Sequence, residues 1–164
     1  MNNQKDLNSS EVKQYITFDL EEEEYGINIE EIESINRIQG ITRVPKAPAY
    51  INGVINVRGD IIPVMSLRKK LNFEDDAFTN NSRIIIIKKQ DASIAIIVDK
   101  VKEVVGLDGK NIETVQELNT KIGIDFIKGV GKIDNRIVTI ININKLIENI
   151  EEELIGDLRL NDAR

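Results

Sequence analysis

The groups able to do chemistry on this 164-residue chain are carboxylates, amines and guanidiniums, because it contains no His, Cys or Trp. Without imidazole or thiol there is no Cys or Ser-His nucleophile system, no imidazole base, no Cys/His zinc site and no phosphohistidine carried here. The acidic runs Glu21 to Glu24 and Glu151 to Glu153 place adjacent side chains in divergent directions. A catalytic pair needs two carboxylates in different environments, and a calcium loop needs alternating ligands around a glycine. Neither pattern is present, so both runs are expected to be solvated surface, with no metal and no cofactor. The segment Gly106-Leu107-Asp108-Gly109-Lys110-Asn111 lacks the spacing that wraps amides around phosphate and is expected to be a turn. Arg58-Gly59-Asp60 matches the adhesion tripeptide, but no export signal accompanies it. Arg58 is instead expected at a turn between Val57 and Gly59, its donor fork free to reach a carboxylate or carbonyl of a partner or of a neighbouring loop.

Charge narrows the partners. With 22 basic against 28 acidic residues the net charge is −6, which repels a phosphate backbone unless a local patch overcomes it. The basic clusters Lys88-Lys89 and Arg68-Lys69-Lys70 are not interleaved with aromatics and are expected to be solvated faces, not a nucleic-acid site. No stretch approaches the ~18 apolar residues of a membrane span, and the polar start Met1 to Ser10 has no signal-peptide core. The chain is expected in the cytosol without inserting into the membrane.

The elements that must position any site are mainly strands. Thirty Ile and 12 Val stand against 7 aromatics, and stiff β-branched side chains favour pleated sheets. Residues 1 to 11 lack periodicity and read as a flexible arm. Ile16, Phe18 and Leu20 alternate along one strand, and a hairpin returns through Tyr25-Gly26-Ile27-Asn28-Ile29. Ile32, Ile35 and Ile38, at every third residue, suit a helical turn or a strand with a bulge, and the strand is favoured. Pro45 and Pro48 mark an irregular loop. Two strands then flank Arg58-Gly59-Asp60, the second containing Pro63, which implies an edge or a bulge. Ile84 to Ile87 reads as a strand buried on both faces, pairing with Ser93 to Val98. Gly106 to Gly123 is a longer connection, Phe126 to Ile143 a last hairpin turning at Asp134-Asn135, and Leu146, Ile147, Ile150, Leu154 and Leu158 a helical stripe.

The chain also repeats itself. A shift of 69 lays Tyr15 to Phe18 on Ile84 to Ile87, and one of 76 lays Tyr50 to Leu71 on Phe126 to Ile147 with five of 22 pairs identical, a glycine among them. Two similar β units of about five strands are therefore expected. Without catalytic groups, binding is the economical function, through the groove between the units or through exposed sheet edges.

Several separated motifs, in order, resemble the CheW family of chemotaxis coupling proteins: Tyr25-Gly26-Ile27-Asn28-Ile29, Ile41-Thr42-Arg43-Val44-Pro45, and above all Gly53 to Arg68, with Ile96 to Val101 and Gly129-Val130-Gly131 after them. The resemblance covers about residues 12 to 150 and leaves 151–164 as a helical tail. It implies an all-β fold of two five-stranded SH3-like barrels sharing a core, with a C-terminal helix. It also implies a non-catalytic adaptor that joins the regulatory domain of the histidine kinase CheA to the cytoplasmic tip of methyl-accepting chemoreceptors, in arrays at the inner face of the membrane. By the same carry-over, Ile16, Ile29 and Ile32 match an apolar kinase contact, Leu118 the other kinase contact, and Gly53, Arg58 and Gly59 the receptor-coupling motif. Ser34 and Glu113 depart from the family's charges at those interfaces. The alternatives from other classes are a ligand-binding or enzymatic β-barrel using carboxylates, and an oligonucleotide-binding barrel.

Overall fold

The computed structural model describes residues 11–74, 77–89, 91–114 and 126–162. Leu118, one of the expected kinase contacts, lies outside them. The described elements are β1 (Val12–Leu20), β2 (Glu23–Asn28), a 3-10 turn (Ile29–Glu31), β3 (Ile32–Arg37), β4 (Ile51–Val57), β5 (Asp60–Ser66) and α1 (Leu67–Lys70). They continue with β6 (Arg83–Lys89), β7 (Ala92–Val98), β8 (Lys100–Asp108), a 3-10 turn (Gly109–Asn111), β9 (Ile112–Glu113), β10 (Ile127–Ile133), β11 (Arg136–Ile141) and α2 (Ile143–Asp162).

The strands form two sheets, ordered β8-β1-β2-β11-β10-β9 and β3-β6-β7-β5-β4. Applying the repeat, which equates β1, β2, β3, β4 and β5 with β6, β7, β8, β10 and β11, turns one order into the other apart from β9. Even β9 has a counterpart, the isolated bridge of Thr42 to Val54, as Glu113 of β9 pairs with Val130 of β10. The first sheet therefore has six strands where five were expected. The two units are also not successive halves of the chain. β3 to β7 form one sheet and β1 and β2 join β8 to β11 in the other, with β3 pairing β6 and β8 pairing β1, so each half lends a pair of strands to the other's sheet. The fold is that of two SH3-like subdomains, mostly strand, closed by a helix.

Two other expectations are corrected. Gly106 to Asp108 is not part of a long connection but the end of β8, pairing with β1 through Val12↔Asp108. Pro63 lies on neither an edge nor a bulge: β5 is flanked by β4 and β7. Its parallel pairing to β7 runs only from Val64 to Ser66, so the missing amide removes no ladder bond there. The bulge on β4 falls instead between Ile51 and Gly53. The one expected in β3 is found, between Ile32 and Ser34.

Alternation along the strands fills three cores. Ile84 and Ile86 point, with Ile55, Ile62, Val64, Ala95 and Ile97, into the second sheet's own interior. Ile85 and Ile87 point the other way, into a core shared with Phe18, Leu20, Ile27, Met65, Ile96 and Ile141. Tyr15, Leu107, Val138 and Ile140 fill the first sheet's interior. A strand buried on both faces must be apolar throughout, which explains the unbroken run of four Ile. α2 presents Ile143, Leu146, Ile147 and Ile150 to the shared core, the i, i+3, i+4, i+7 stripe of an amphipathic helix. Each hairpin feeds a helix through the same device: the Ser66 N–H donates to the Tyr50 carbonyl and the Asn142 N–H to that of Phe126, both at 2.7 Å. The Ser66 and Asn142 side chains then accept the N–H of Lys69 and Lys145, capping α1 and α2.

Candidate functional site

The β4-β5 hairpin closes through two residues, Arg58 at φ 52° and Gly59 at φ 88°, between the paired Val57 and Asp60. Two successive positive φ angles match the twist of the flanking strands. Gly59 takes this backbone freely, and its N–H donates to Asn56 Oδ1 at 3.0 Å. A side chain at Arg58 costs about 1 kcal/mol in the left-handed region. Arg58 is exposed and, among the described residues, has neither hydrogen bond nor ion pair. Beside it stands Ile61, 62% exposed. At the other tip the repeat equivalents are Asp134, at φ 54°, and Ile137, also 62% exposed: the first turn residue keeps the left-handed backbone and the charge is reversed.

Gly53 sits at the root of the same hairpin, and its role is steric. Its φ is +149°, and an added Cβ would lie 2.2 Å from the Thr42 carbonyl oxygen. The close approach lets Thr42 and Val54 exchange N–H···O bonds of 2.9 and 2.8 Å, pinning the loop that follows β3. Gly129 does the same in the other sheet, 2.4 Å from the Glu113 carbonyl oxygen.

At one corner the 3-10 turn bearing Ile29 packs against β1, which carries Ile16, and against β6, and Ile32 opens β3 directly after it. The three Ile are not equivalent. Ile16 is only 8% exposed, Ile29 is half-buried on the turn, and Ile32 is half-buried with its side chain against the shared core. Asn28 caps the turn by accepting the Glu30 N–H at 2.9 Å. Ile35, 38% exposed, continues the surface along β3, an edge strand. Ser34 is half-buried and accepts a hydrogen bond from Asn36 Nδ2. Glu113 lies on β9, opposite Val130 and remote in sequence from this corner.

Two charged clusters depart from the solvated faces expected of them. Arg68, with its side chain 13% exposed, grips Asp99 with Nε at 2.8 Å and Nη2 at 2.6 Å while Nη1 reaches Glu21 Oε1 at 2.7 Å. Asp99 also accepts the Glu21 N–H, and its own N–H donates to the Asp19 carbonyl. Burial pushes the Asp99 carboxyl up, but the Arg68 hydrogen bonds, the Glu21 amide and the guanidinium charge outweigh it and hold the group below its ordinary value. Three elements from both sheets meet in this knot. Lys70 of α1 reaches Asn149 of α2 and lies 4.2 Å from the Tyr50 ring centroid. Glu24 is likewise buried, its side chain 8% exposed, between Arg136 Nε at 3.3 Å and Lys102 Nζ at 3.5 Å. Arg136 Nη2 also binds Glu103 Oε2 at 2.5 Å. Burial raises the nearby Asp19 carboxyl, with Lys102 opposing it. The sequence signal for the first knot was Arg68 directly after a residue, Leu67, that the repeat makes a core position. Glu24 carried none beyond its place on a strand.

Among the described residues no group of three His, Cys, Asp or Glu is arranged to hold a metal ion. No helix among them is long and apolar enough to cross a membrane.

Residues 14–151 match the model of the CheW-like domain. The chain is 37% identical over 133 residues to the chemotaxis protein CheW of Bacillus subtilis, covering 81% of this chain and 85% of that one. It is 32% identical over 135 residues to the chemotaxis protein CheW of Thermotoga maritima, covering 82% and 87%. The crystal structure of the scaffolding protein TtCheW from Thermoanaerobacter tengcongensis superposes with a TM-score of 0.73 at 35% identity, covering 80% of this chain and 84% of that one. With the family domain spanning both interlocked sheets and the first turns of α2, the chain belongs to the CheW-like family of chemotaxis scaffolding proteins.

Proposed function

We propose that this protein is a cytoplasmic, non-catalytic adaptor coupling methyl-accepting chemoreceptors to the histidine kinase CheA in arrays at the inner face of the membrane. The observation that carries this reading is Arg58. It is held at a cost in backbone energy on a rigid turn, exposed beside Ile61 and without a partner among the described residues, whereas Arg68 and Arg136 are engaged in ion pairs. A guanidinium fixed on a rigid hairpin loses little freedom when a carboxylate or carbonyl docks on it. Arg58 and Gly59 form the receptor contact, with Gly53 holding the hairpin root in shape. Ile29 and Ile32, with the more buried Ile16, form the apolar contact for the regulatory domain of CheA, and Leu118 serves the second kinase contact. Coupling then arises from differential affinity for receptor and kinase states.

The test is a titration of the full chain with a chemoreceptor cytoplasmic fragment and with CheA, separately and together. Both should bind, and Arg58→Ala should weaken receptor-dependent control of the kinase while the fold and CheA binding persist. Unchanged control in Arg58→Ala removes Arg58 from the contact, and failure of both partners to bind removes the coupling reading.

A further inference from the structure

The loop between β3 and β4 encloses a concavity of about 500 Å³ that none of the expected contacts uses, lined by Arg43, Val44, Lys46, Pro48, Lys69 and Phe78 among others. Among the described residues no carboxylate lines it, on a chain whose net charge is −6. Arg43 and Lys46 are exposed and have no ion pair or hydrogen bond among the described residues. Two apolar side chains stand open at the same place, Val44 at 39% and Phe78 at 51% exposure. The walls are held in place. Thr42 is fixed to Val54 on one side of the loop, and on the other the Ile51 N–H donates to the Pro48 carbonyl at 2.9 Å. Gly53, through its contact with Thr42, makes that closure possible. Six residues of extended β4 separate Asn52 from Arg58, about 20 Å, so this surface is distinct from the hairpin tip.

We infer that this concavity is a docking site for an acidic peptide segment of a protein partner, one that places an aliphatic side chain against Val44 and Phe78 and carboxylates on Arg43 and Lys46. Charge complementarity selects the occupant. Two cations without partners among the described residues, around exposed apolar side chains, attract a segment that combines negative charge with an anchor, and repel a basic one. A small inorganic anion would leave the apolar half uncovered. The inference stands independently of the receptor and kinase contacts, which lie elsewhere on the surface.

The experiment uses the isotopically labelled full chain and two probe peptides of about nine residues, one of Glu-Glu-Leu repeats and one of Lys-Lys-Leu repeats. The acidic peptide should shift the amide resonances of Thr42 to Val44 and of Phe78, with an affinity that falls as salt is raised from roughly 0.05 to 0.3 M. The Arg43→Glu/Lys46→Glu variant should keep its amide spectrum and lose affinity about tenfold or more, and the milder Arg43→Gln/Lys46→Gln pair should fall between it and the parent. The inference is overturned if the acidic peptide does not bind, if it shifts amides elsewhere, if the basic peptide binds equally well, or if both variants bind as the parent does. CheA and receptor binding, measured on the same variants, reports separately on the coupling reading.

Discussion

Gly53→Ala separates a glycine that shapes the proposed docking hairpin from one that would form its contact. The new methyl would lie 2.2 Å from the Thr42 carbonyl oxygen and 2.8 Å from its carbon, so backbone must move, and φ +149° is itself open essentially to glycine alone. Strain at such an angle costs about 1–3 kcal/mol. Displacing Thr42 also removes two N–H···O bonds to Val54, each contributing about 1 kcal/mol. The sum is about 4 kcal/mol, which in a domain of this size lowers Tm by roughly 8–16 °C. Gly59→Ala is the control: nothing lies within 4 Å of its Cβ, and only the left-handed φ of 88° is charged to it, about 1 kcal/mol or roughly 2–4 °C. Thermal unfolding followed by circular dichroism compares the two. If Gly53→Ala melts within about 2 °C of the parent, Gly53 does not pin the loop, and its place in the coupling motif needs another explanation.

Arg68→Met strips Asp99 of its bidentate partner and Glu21 of its ion pair. With the guanidinium mostly buried and Asp99 partly exposed, we expect a loss of about 2–3 kcal/mol, read as a lower urea midpoint with unchanged slope; an unchanged midpoint would show the knot to be idle. Because the Asp99 carboxyl is held below its ordinary value, the stability it contributes is full above the unfolded carboxylate range and is lost as pH falls through its folded value. Asp99→Asn should therefore flatten the acid limb of a stability-against-pH curve, and an acid limb as steep as the parent's would refute this. Ile16→Glu should unfold the chain by burying a charge, whereas Ile29→Glu on the half-exposed turn should keep a native spectrum and lose CheA binding. A folded Ile16→Glu, or an Ile29→Glu that binds CheA normally, contradicts the division between support and contact.

Strand positions were legible because the Ile and Val alternation must match the pleat, and the repeat was legible because both hairpins need the same glycine at the same root. What the repeat could not reveal is that the β1-β2 and β6-β7 pairs change places. Each strand carries the same apolar pattern whichever sheet receives it, so pairing is decided by the whole topology and not by local sequence. Pro63 misled for a related reason: its constraint bears on one ladder only, and that ladder begins one residue later. Arg68 and Glu24 were read as surface because charge runs usually are. Their burial depends on partners 31 to 112 residues away in the sequence, Asp99 from Arg68 and Arg136 from Glu24, a distance over which no spacing rule operates. The hairpin tip with Arg58, by contrast, is a local structure, and local sequence placed it.

The exchange of strands bears on how an adaptor of this build transmits a signal. The shared core takes Phe18 and Ile27 from one sheet, Met65, Ile85 and Ile96 from the other, and Leu146 and Ile150 from α2. Arg68 ties the end of β5 to the β1-β2 turn and to the corner after β7. Sliding one sheet against the other would expose aliphatic surface at about 25 cal/mol per Å² and break a charged hydrogen-bond set. A motion large enough to alter either proposed docking face thus costs several kcal/mol. The Arg58 tip and the Ile29 corner are fixed points on one body, and on the proposed reading two partners bound there would be held at a set distance and angle. In that arrangement the difference between signalling states must reside in the partners' conformations, which the adaptor favours unequally. Substitutions that loosen the knot without touching either face should then weaken receptor control of the kinase while each partner still binds alone.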